Sequence, residues 1–213
     1  MPDKGLKILP HSGTEVNMVD FQQSETKKNL MRAFAGESQA RNRYTFAASV
    51  AHKEKLFAVE WVFNFTAGQE KEHAEIFYNH LASCQGQNIE FCAAYPIDNS
   101  ANTLSLLLAS HKNEYEEYEN IYKAFGDKAH SEGYLAVADS FYKISEIEKT
   151  HGDRFAKLAD LLQTGKMFVS DIECKWACLN CGHEVKGRFA PEMCPVCKHD
   201  KGYFIRAEFV LMS

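Results

Sequence analysis

No run of apolar residues in this chain approaches the length of a membrane-spanning helix, and Met1 to Asp20 lacks the apolar core of a secretory leader. No membrane partner is expected, and the expected location is the cytoplasm. Basic residues are not in excess: the formal net charge is −5 and no basic stripe occurs, so the electrostatic footprint of a nucleic-acid binder is missing. The tail from 171 to 213 holds six basic and six acidic residues, so the negative charge belongs to the first 170. Cysteine is scarce until the end, where five of the seven crowd into the last forty residues. In a reducing compartment that clustering points to metal binding rather than a disulfide framework. Between Phe21 and His52 there is no proline, and the only glycine is Gly36.

What the chain does have is helical periodicity. Leu30, Phe34, Glu37, Arg41, Tyr44 and Ala48 form one stripe, and the run ends at Lys53-Glu54-Lys55. A second run, Leu56 to Cys84, carries Phe63, Thr66, Glu70, His73, Phe77 and Leu81 on one face and stops at Gln85-Gly86-Gln87. Residues 89 to 100 read as a crossover connection. A third helix, capped by Asn102 or Thr103, continues to about Ser131 with Leu107, Glu114, Glu117, Ile121 and Phe125 in phase. Glu132-Gly133-Tyr134 makes a tight junction, and a fourth helix runs to about Thr164 with a stop at Gly165. Four helices of about thirty residues with two short connections and one crossover predict an all-α four-helix bundle of ferritin-like connectivity. The expected organisation is an N-terminal arm over 1–20, the bundle over 21–168 and a small metal-stapled, β-rich domain over 169–213.

Every helix has a carboxylate inside its apolar stripe, a costly placement unless positive charge meets it. Glu37 lies on the first, Glu70 with His73 on the second, Glu114 with Glu117 on the third, and Glu148 with His151 on the fourth. Residues three apart share a helix face, so each Glu-x-x-His aims a carboxylate and an imidazole at one point. Glu37 precedes Glu70 by 33 residues and Glu114 precedes Glu148 by 34, so the two helix pairs are near-repeats. In the first pair Ala40 occupies the place of Glu117. Five carboxylates and two imidazoles suit a pair of iron or manganese ions. Glu116 and Glu119 fall in phase with Ala109, Lys112 and Lys123, a solvent face, and are set aside. Tyr44 follows Glu37 by seven residues and Tyr122 follows Glu114 by eight. They read either as hydrogen-bond donors to ligand carboxylates or as core tyrosines with satisfied hydroxyls.

In the tail, Cys178-x-x-Cys181 and Cys194-x-x-Cys197 are two thiolate knuckles that together form a four-sulfur site. Zinc would make it a staple and iron a one-electron carrier. Cys84, Cys92 and Cys174 read as free thiols, and Tyr203 to Val210 as a strand-like piece.

Several runs together carry a family resemblance: Ala35-Gly-Glu-Ser-Gln-Ala, Glu70-Lys-Glu-His-Ala, Ala93-Ala-Tyr-Pro, Glu132-Gly-Tyr, Glu148-x-x-His151, Trp176-x-Cys-x-x-Cys-Gly and Ala190-Pro-Glu-Met-Cys-Pro-Val-Cys. From Asn29 to Glu208 the chain resembles the rubrerythrins, ferritin-like di-iron proteins with a C-terminal rubredoxin-like domain. The resemblance implies three irons per chain: a di-iron centre held by Glu37, Glu70, His73, Glu114, Glu117, Glu148 and His151, and Fe(Cys)4 at Cys178, Cys181, Cys194 and Cys197. It places supporting tyrosines at Tyr44 and Tyr122 and implies that one iron exchanges His73 for Glu117 on oxidation. It implies a homodimer in which one subunit's rubredoxin-like domain lies near the other's di-iron site. The implied activity is reduction of hydrogen peroxide to water in oxidative-stress protection, with electrons from a rubredoxin or an NAD(P)H-dependent reductase. An iron-oxidising, ferritin-like role using oxygen is the alternative; a zinc-stapled interaction module is a third. The chain departs from the family pattern at Lys112-Asn113, where small residues usually precede the first glutamate of the third helix.

Overall fold

The computed structural model describes residues 18–210. The arm expected over 1–20 therefore lies largely outside the described residues. Its last residues fold back onto the bundle: the Val19 amide donates to the Glu132 carbonyl at 3.1 Å, and the Tyr134 hydroxyl donates to the Val19 carbonyl.

Helix α1 spans Glu25–Lys53 and α2 spans Phe57–His80. The third helix is continuous from Thr103 to Ser131 but changes winding on the way. Helix α3 (Thr103–Glu116) passes into a π-helical turn, Glu117–Ile121, and resumes as α4 (Tyr122–Ser131). Helix α5 spans Leu135–Gln163. α1 packs along α2, and α5 packs along both α3 and α4. No described helix is long and apolar enough to cross a membrane.

Local chemistry explains the ends. Ser24 caps α1, its Oγ accepting from the Lys27 amide at 3.1 Å. Glu132, at the far end of α4, adds a second cap by accepting from the Glu25 and Thr26 amides and the Thr26 hydroxyl. A carboxylate there meets orphan N–H groups and the positive end of the helix dipole. The junction that lets Glu132 do this turns at Gly133, with φ +89°, where L side chains are strained.

The core falls into two apolar clusters. One includes Tyr44, Phe63, Leu107 and Phe155; the other includes Leu30, Phe77, Tyr122 and Phe141. On each long helix the stripe glutamate lies between a member of one cluster and a member of the other, as Glu70 does between Phe63 and Phe77. The carboxylates therefore form a polar layer sandwiched between two apolar ones.

The tail is a three-stranded antiparallel sheet in the order β2-β1-β3, with β1 Val169–Cys178, β2 Glu184–Phe189 and β3 Phe204–Arg206. The strand-like expectation for Tyr203 to Val210 holds only over Phe204–Arg206: Tyr203 ends a 3-10 turn and Ala207–Val210 forms a short helix, α6. Phe209 packs there against the bundle's first cluster. Trp176 is fully buried in the tail's own small core with Phe204. Ile205 joins the bundle core, and Tyr203 stacks on Phe57 with ring centroids 4.2 Å apart.

Candidate metal centres

Two donor groups form inside the bundle. Glu37, Glu70, His73 and Glu148 offer donor atoms within 4.8 Å of one another, and so do Glu70, Glu114, Glu148 and His151. Glu70 and Glu148 belong to both. All these residues are buried, and Glu37, Glu148 and His151 are fully so. Two adjacent cations sharing two carboxylates would fit this arrangement. Glu117, the remaining residue expected at the site, falls in neither group; it lines a cleft beside the centre together with Tyr122.

The imidazoles point inward through the same ring atom. His73 Nδ1 lies 3.1 Å from Glu70 and 3.0 Å from Glu148. His151 Nδ1 lies 2.9 Å from both Glu70 and Glu148. On its other side, His151 Nε2 is 3.1 Å from Gln69 Oε1, which also accepts from Arg154. With Gln69 as acceptor, Nε2 carries the proton and Nδ1 is left as a lone-pair donor toward the centre. This Gln69–Arg154 support was not anticipated from the sequence. Its only signal was Arg154 lying three residues past His151, on the same face.

The tyrosines are hydrogen-bonded across the pseudo-repeat. Tyr122 donates to Glu37 Oε1 at 2.5 Å, and Tyr44 donates to Glu114 Oε1. Each tyrosine therefore fixes the glutamate of the other helix pair. The opposite oxygens, Glu37 Oε2 and Glu114 Oε2, have no hydrogen-bond partner, and Glu70 Oε1 and both oxygens of Glu148 face only the two inward imidazoles. Buried orphan acceptors are normally avoided at several kcal/mol each, roughly. Here they converge on common points, and a set of hard oxygens with two imidazole nitrogens fits iron.

The electrostatics say the same thing. Burial, then the charges of Glu148, Glu70 and Glu117, push the Glu37 carboxyl well up despite the Tyr122 bond. Burial and the Glu70 charge push Glu114 up to about 8. Burial and then Glu114 raise Glu117 strongly. Burial opposes charge on His73, but the bonds and charges of Glu148 and Glu70 outweigh it and raise that imidazole to about 10. Such a cluster attracts positive charge, whether protons or cations.

In the tail, the Sγ atoms of Cys178 and Cys197 are 3.7 Å apart, as are those of Cys181 and Cys194, and all four cluster. A tetrahedron with metal–sulfur bonds of about 2.3 Å has an edge of about 3.8 Å. The two knuckles match. The Cys178 and Cys194 amides bond to the His183 and His199 carbonyls, and each knuckle turns through positive φ just after its second cysteine, at Gly182 and at Lys198. The His199 amide holds the Cys197 thiol down at about 5, while burial pushes the Cys178 thiol up to about 12. Cys84 is buried and Cys92 exposed; with Cys174 they stay outside the four-sulfur group.

A carboxylate-bridged pair of sites inside a ferritin-like bundle, followed by a rubredoxin-like four-thiolate tail, defines a class of iron protein. The rubrerythrin family model matches residues 28–159, and the model for the rubrerythrin rubredoxin-like domain matches 176–205. The chain is 42% identical over 188 residues to a rubrerythrin of Clostridium perfringens, covering 88% of this chain and 96% of that one. It is 40% identical over 191 residues to a rubrerythrin of Porphyromonas gingivalis, covering 90% and 94%. Among solved structures, fully reduced, all-ferrous nigerythrin superposes with a TM-score of 0.58 at 26% identity, covering 97% of this chain and all of that one. The chain belongs to the rubrerythrin family, and its donor sets fit three irons per chain, two in the bundle and one on the four cysteines.

Proposed function

We propose that this chain is a non-haem di-iron peroxidase that reduces hydrogen peroxide to water. The observation carrying that reading is the sharing of Glu70 and Glu148 between two donor groups, an arrangement that would hold two redox metals side by side. When bound, the irons supply two electrons and Lewis acidity to a single O–O bond, so the cleavage needs no free radical.

The protein's part is to hold ligands, supply protons and exclude water. Glu37 and His73 would serve one metal and Glu114 and His151 the other, with Glu70 and Glu148 available to both. Tyr122 and Tyr44 fix the terminal glutamates, and Gln69 fixes His151 in the tautomer that leaves Nδ1 free. Glu117 lines the cleft beside the centre, and burial favours its protonated form, so it is placed to deliver a proton toward a departing oxygen. Glu117 would offer a ferric ion a harder donor than the His73 imidazole.

Cys178, Cys181, Cys194 and Cys197 would hold an iron able to supply electrons one at a time for re-reduction. These come from a rubredoxin or NAD(P)H-dependent reductase, in a cytoplasmic homodimer protecting against oxidative stress. Anaerobic mixing of the all-ferrous protein with hydrogen peroxide tests the reading, and rapid oxidation of the di-iron centre is expected. Faster oxidation by oxygen than by peroxide would favour the iron-oxidising role instead. Cys178→Ala should spare that single turnover and stop re-reduction, whereas Glu114→Ala should damage the turnover itself.

A further inference from the structure

A cleft of about 260 Å³ lies between α1, the third helix and the crossover segment, with Glu117 and Tyr122 among its lining residues. Ala33, Gly36, Ala94, Pro96, Ile121 and Phe125 are among the apolar residues of its wall. In the same measure a single water needs only about 10–15 Å³, so hydrogen peroxide would fill a small part of this space. The surplus is apolar. It is also held open at both ends of its roof. Tyr95 donates to the Arg32 carbonyl at 2.7 Å, and Arg32 Nε donates to the Cys92 carbonyl at 3.0 Å. Further along, Asp98 accepts from Arg43 and from Asn113, each at 2.7 Å. Asn113 is one of the residues departing from the family pattern, and here it ties the roof to the helix turn just before Glu117. Tyr122, which lines the cleft, also donates the hydroxyl that bonds Glu37 of the metal centre.

We propose that this cleft admits small organic hydroperoxides, with the alkyl group against Ala33, Gly36 and Phe125 and the peroxy group directed at the Glu117 end. The proposal rests on the peroxidase reading and extends its substrate class. The O–O bond breaks and the C–O bond stays intact. ROOH takes two electrons from the ferrous pair and two protons, giving ROH and water. A pocket of this kind, apolar with a few convergent polar groups, is the usual form of a small-molecule site. Each methylene buried in it tightens binding about fourfold.

The test uses the full-length, iron-loaded, reduced protein mixed anaerobically with hydrogen peroxide, tert-butyl hydroperoxide or cumene hydroperoxide. All three should oxidise the di-iron centre, the organic ones yielding one alcohol per centre. Gly36→Leu should fold, because a Cβ at Gly36 meets only the Tyr95 ring, at 3.5 Å, and leucine favours helix over glycine. Its side chain would occupy the cleft. The rate with cumene hydroperoxide should fall about tenfold or more while that with hydrogen peroxide changes little, the discrimination a filled apolar pocket gives.

Independently of activity, 2-phenyl-2-propanol, the alcohol product, should shift the amide resonances of Gly36 and Phe125 in the metal-free protein, and Gly36→Leu should abolish the shifts. If hydrogen peroxide oxidises the centre and neither organic hydroperoxide does, this inference falls and the peroxidase reading stands. If none of the three does, the peroxidase reading itself falls. Equal loss with all oxidants in Gly36→Leu, or no resonance shift in the parent protein, overturns the assignment of the cleft.

Discussion

Ser145 Oγ donates a hydrogen bond to the backbone carbonyl of Tyr118 across 2.9 Å. That carbonyl is the one an α-helical Tyr122 amide would have taken; the Tyr122 amide reaches back to Glu117 instead, and the helix widens into its π turn. Ser145 is buried on α5, one turn before Glu148. The fourth helix therefore pins the distorted turn on which Glu117 and Tyr122 are carried. π turns recur at functional sites because the extra residue re-aims the side chains around it.

Ser145→Ala should leave the Tyr118 carbonyl unsatisfied at a cost of about 1–3 kcal/mol. Amide hydrogen exchange over residues 117–122 should quicken while the rest of α5 keeps its protection. Unchanged exchange in that turn would show that Ser145 does not hold it.

The π turn bears on how much was legible in the sequence. Helix number, the crossover and the polar layer could be read because each glutamate interrupts an otherwise apolar stripe, as Glu70 does between Phe63 and Phe77. The insertion was visible too, as a mismatch of one residue: Tyr122 follows Glu114 by eight while Tyr44 follows Glu37 by seven, and the second repeat is 34 rather than 33. A 3.6-residue period absorbs one extra residue without losing the stripe, so periodicity alone did not locate it. The crossed pairing of Tyr44 with Glu114 and Tyr122 with Glu37 depends on how the helix pairs face each other, which local spacing does not encode. The Gln69–His151 contact is of the same kind.

Tyr122→Phe removes the only hydroxyl bonded to Glu37 Oε1 among the described contacts. Loss of such a partner lowers metal affinity about 10–100-fold. Competition with a chelator should show one of the two bundle irons weakened and the four-cysteine iron untouched. Equal weakening of all three would indicate a global effect rather than one transmitted through Glu37.

Glu132 gives the acid end of the stability curve a specific cause. Burial alone would raise its carboxyl, but bonds from the Thr26 hydroxyl and amide, Lys128 and the Glu25 amide together hold it at about 2, below the ordinary 4.5. A depressed carboxylate stabilises the fold above its unfolded value and loses that contribution as pH falls toward the folded one. Glu132→Gln should therefore cost about 1.5–3 kcal/mol near neutrality, the range for hydrogen bonds to a charged group. Urea titrations should show the gap from the parent narrowing below pH 4.5 and closing near pH 2. A gap independent of pH would mean that shape rather than charge is what Glu132 provides.

The seating of the tail on the bundle turns on one glycine. A Cβ at Gly202 would lie 2.0 Å from the Lys55 carbonyl oxygen and 2.9 Å from the Phe57 ring. Backbone sits on the near side, so no side-chain rotation relieves the overlap. Lys55 itself has φ +58°, the conformation that turns α1 into α2 and brings its carbonyl up against the tail. Gly202→Ala should consequently separate the tail from the end of the bundle while leaving each part folded, since the four-sulfur site and Trp176 lie in the tail's own core. Trypsin should then cut at Lys166 faster than in the parent, with helical circular dichroism and the thiolate–iron absorption unchanged. Loss of the thiolate–iron absorption would instead show that the tail needs the bundle surface to hold its metal.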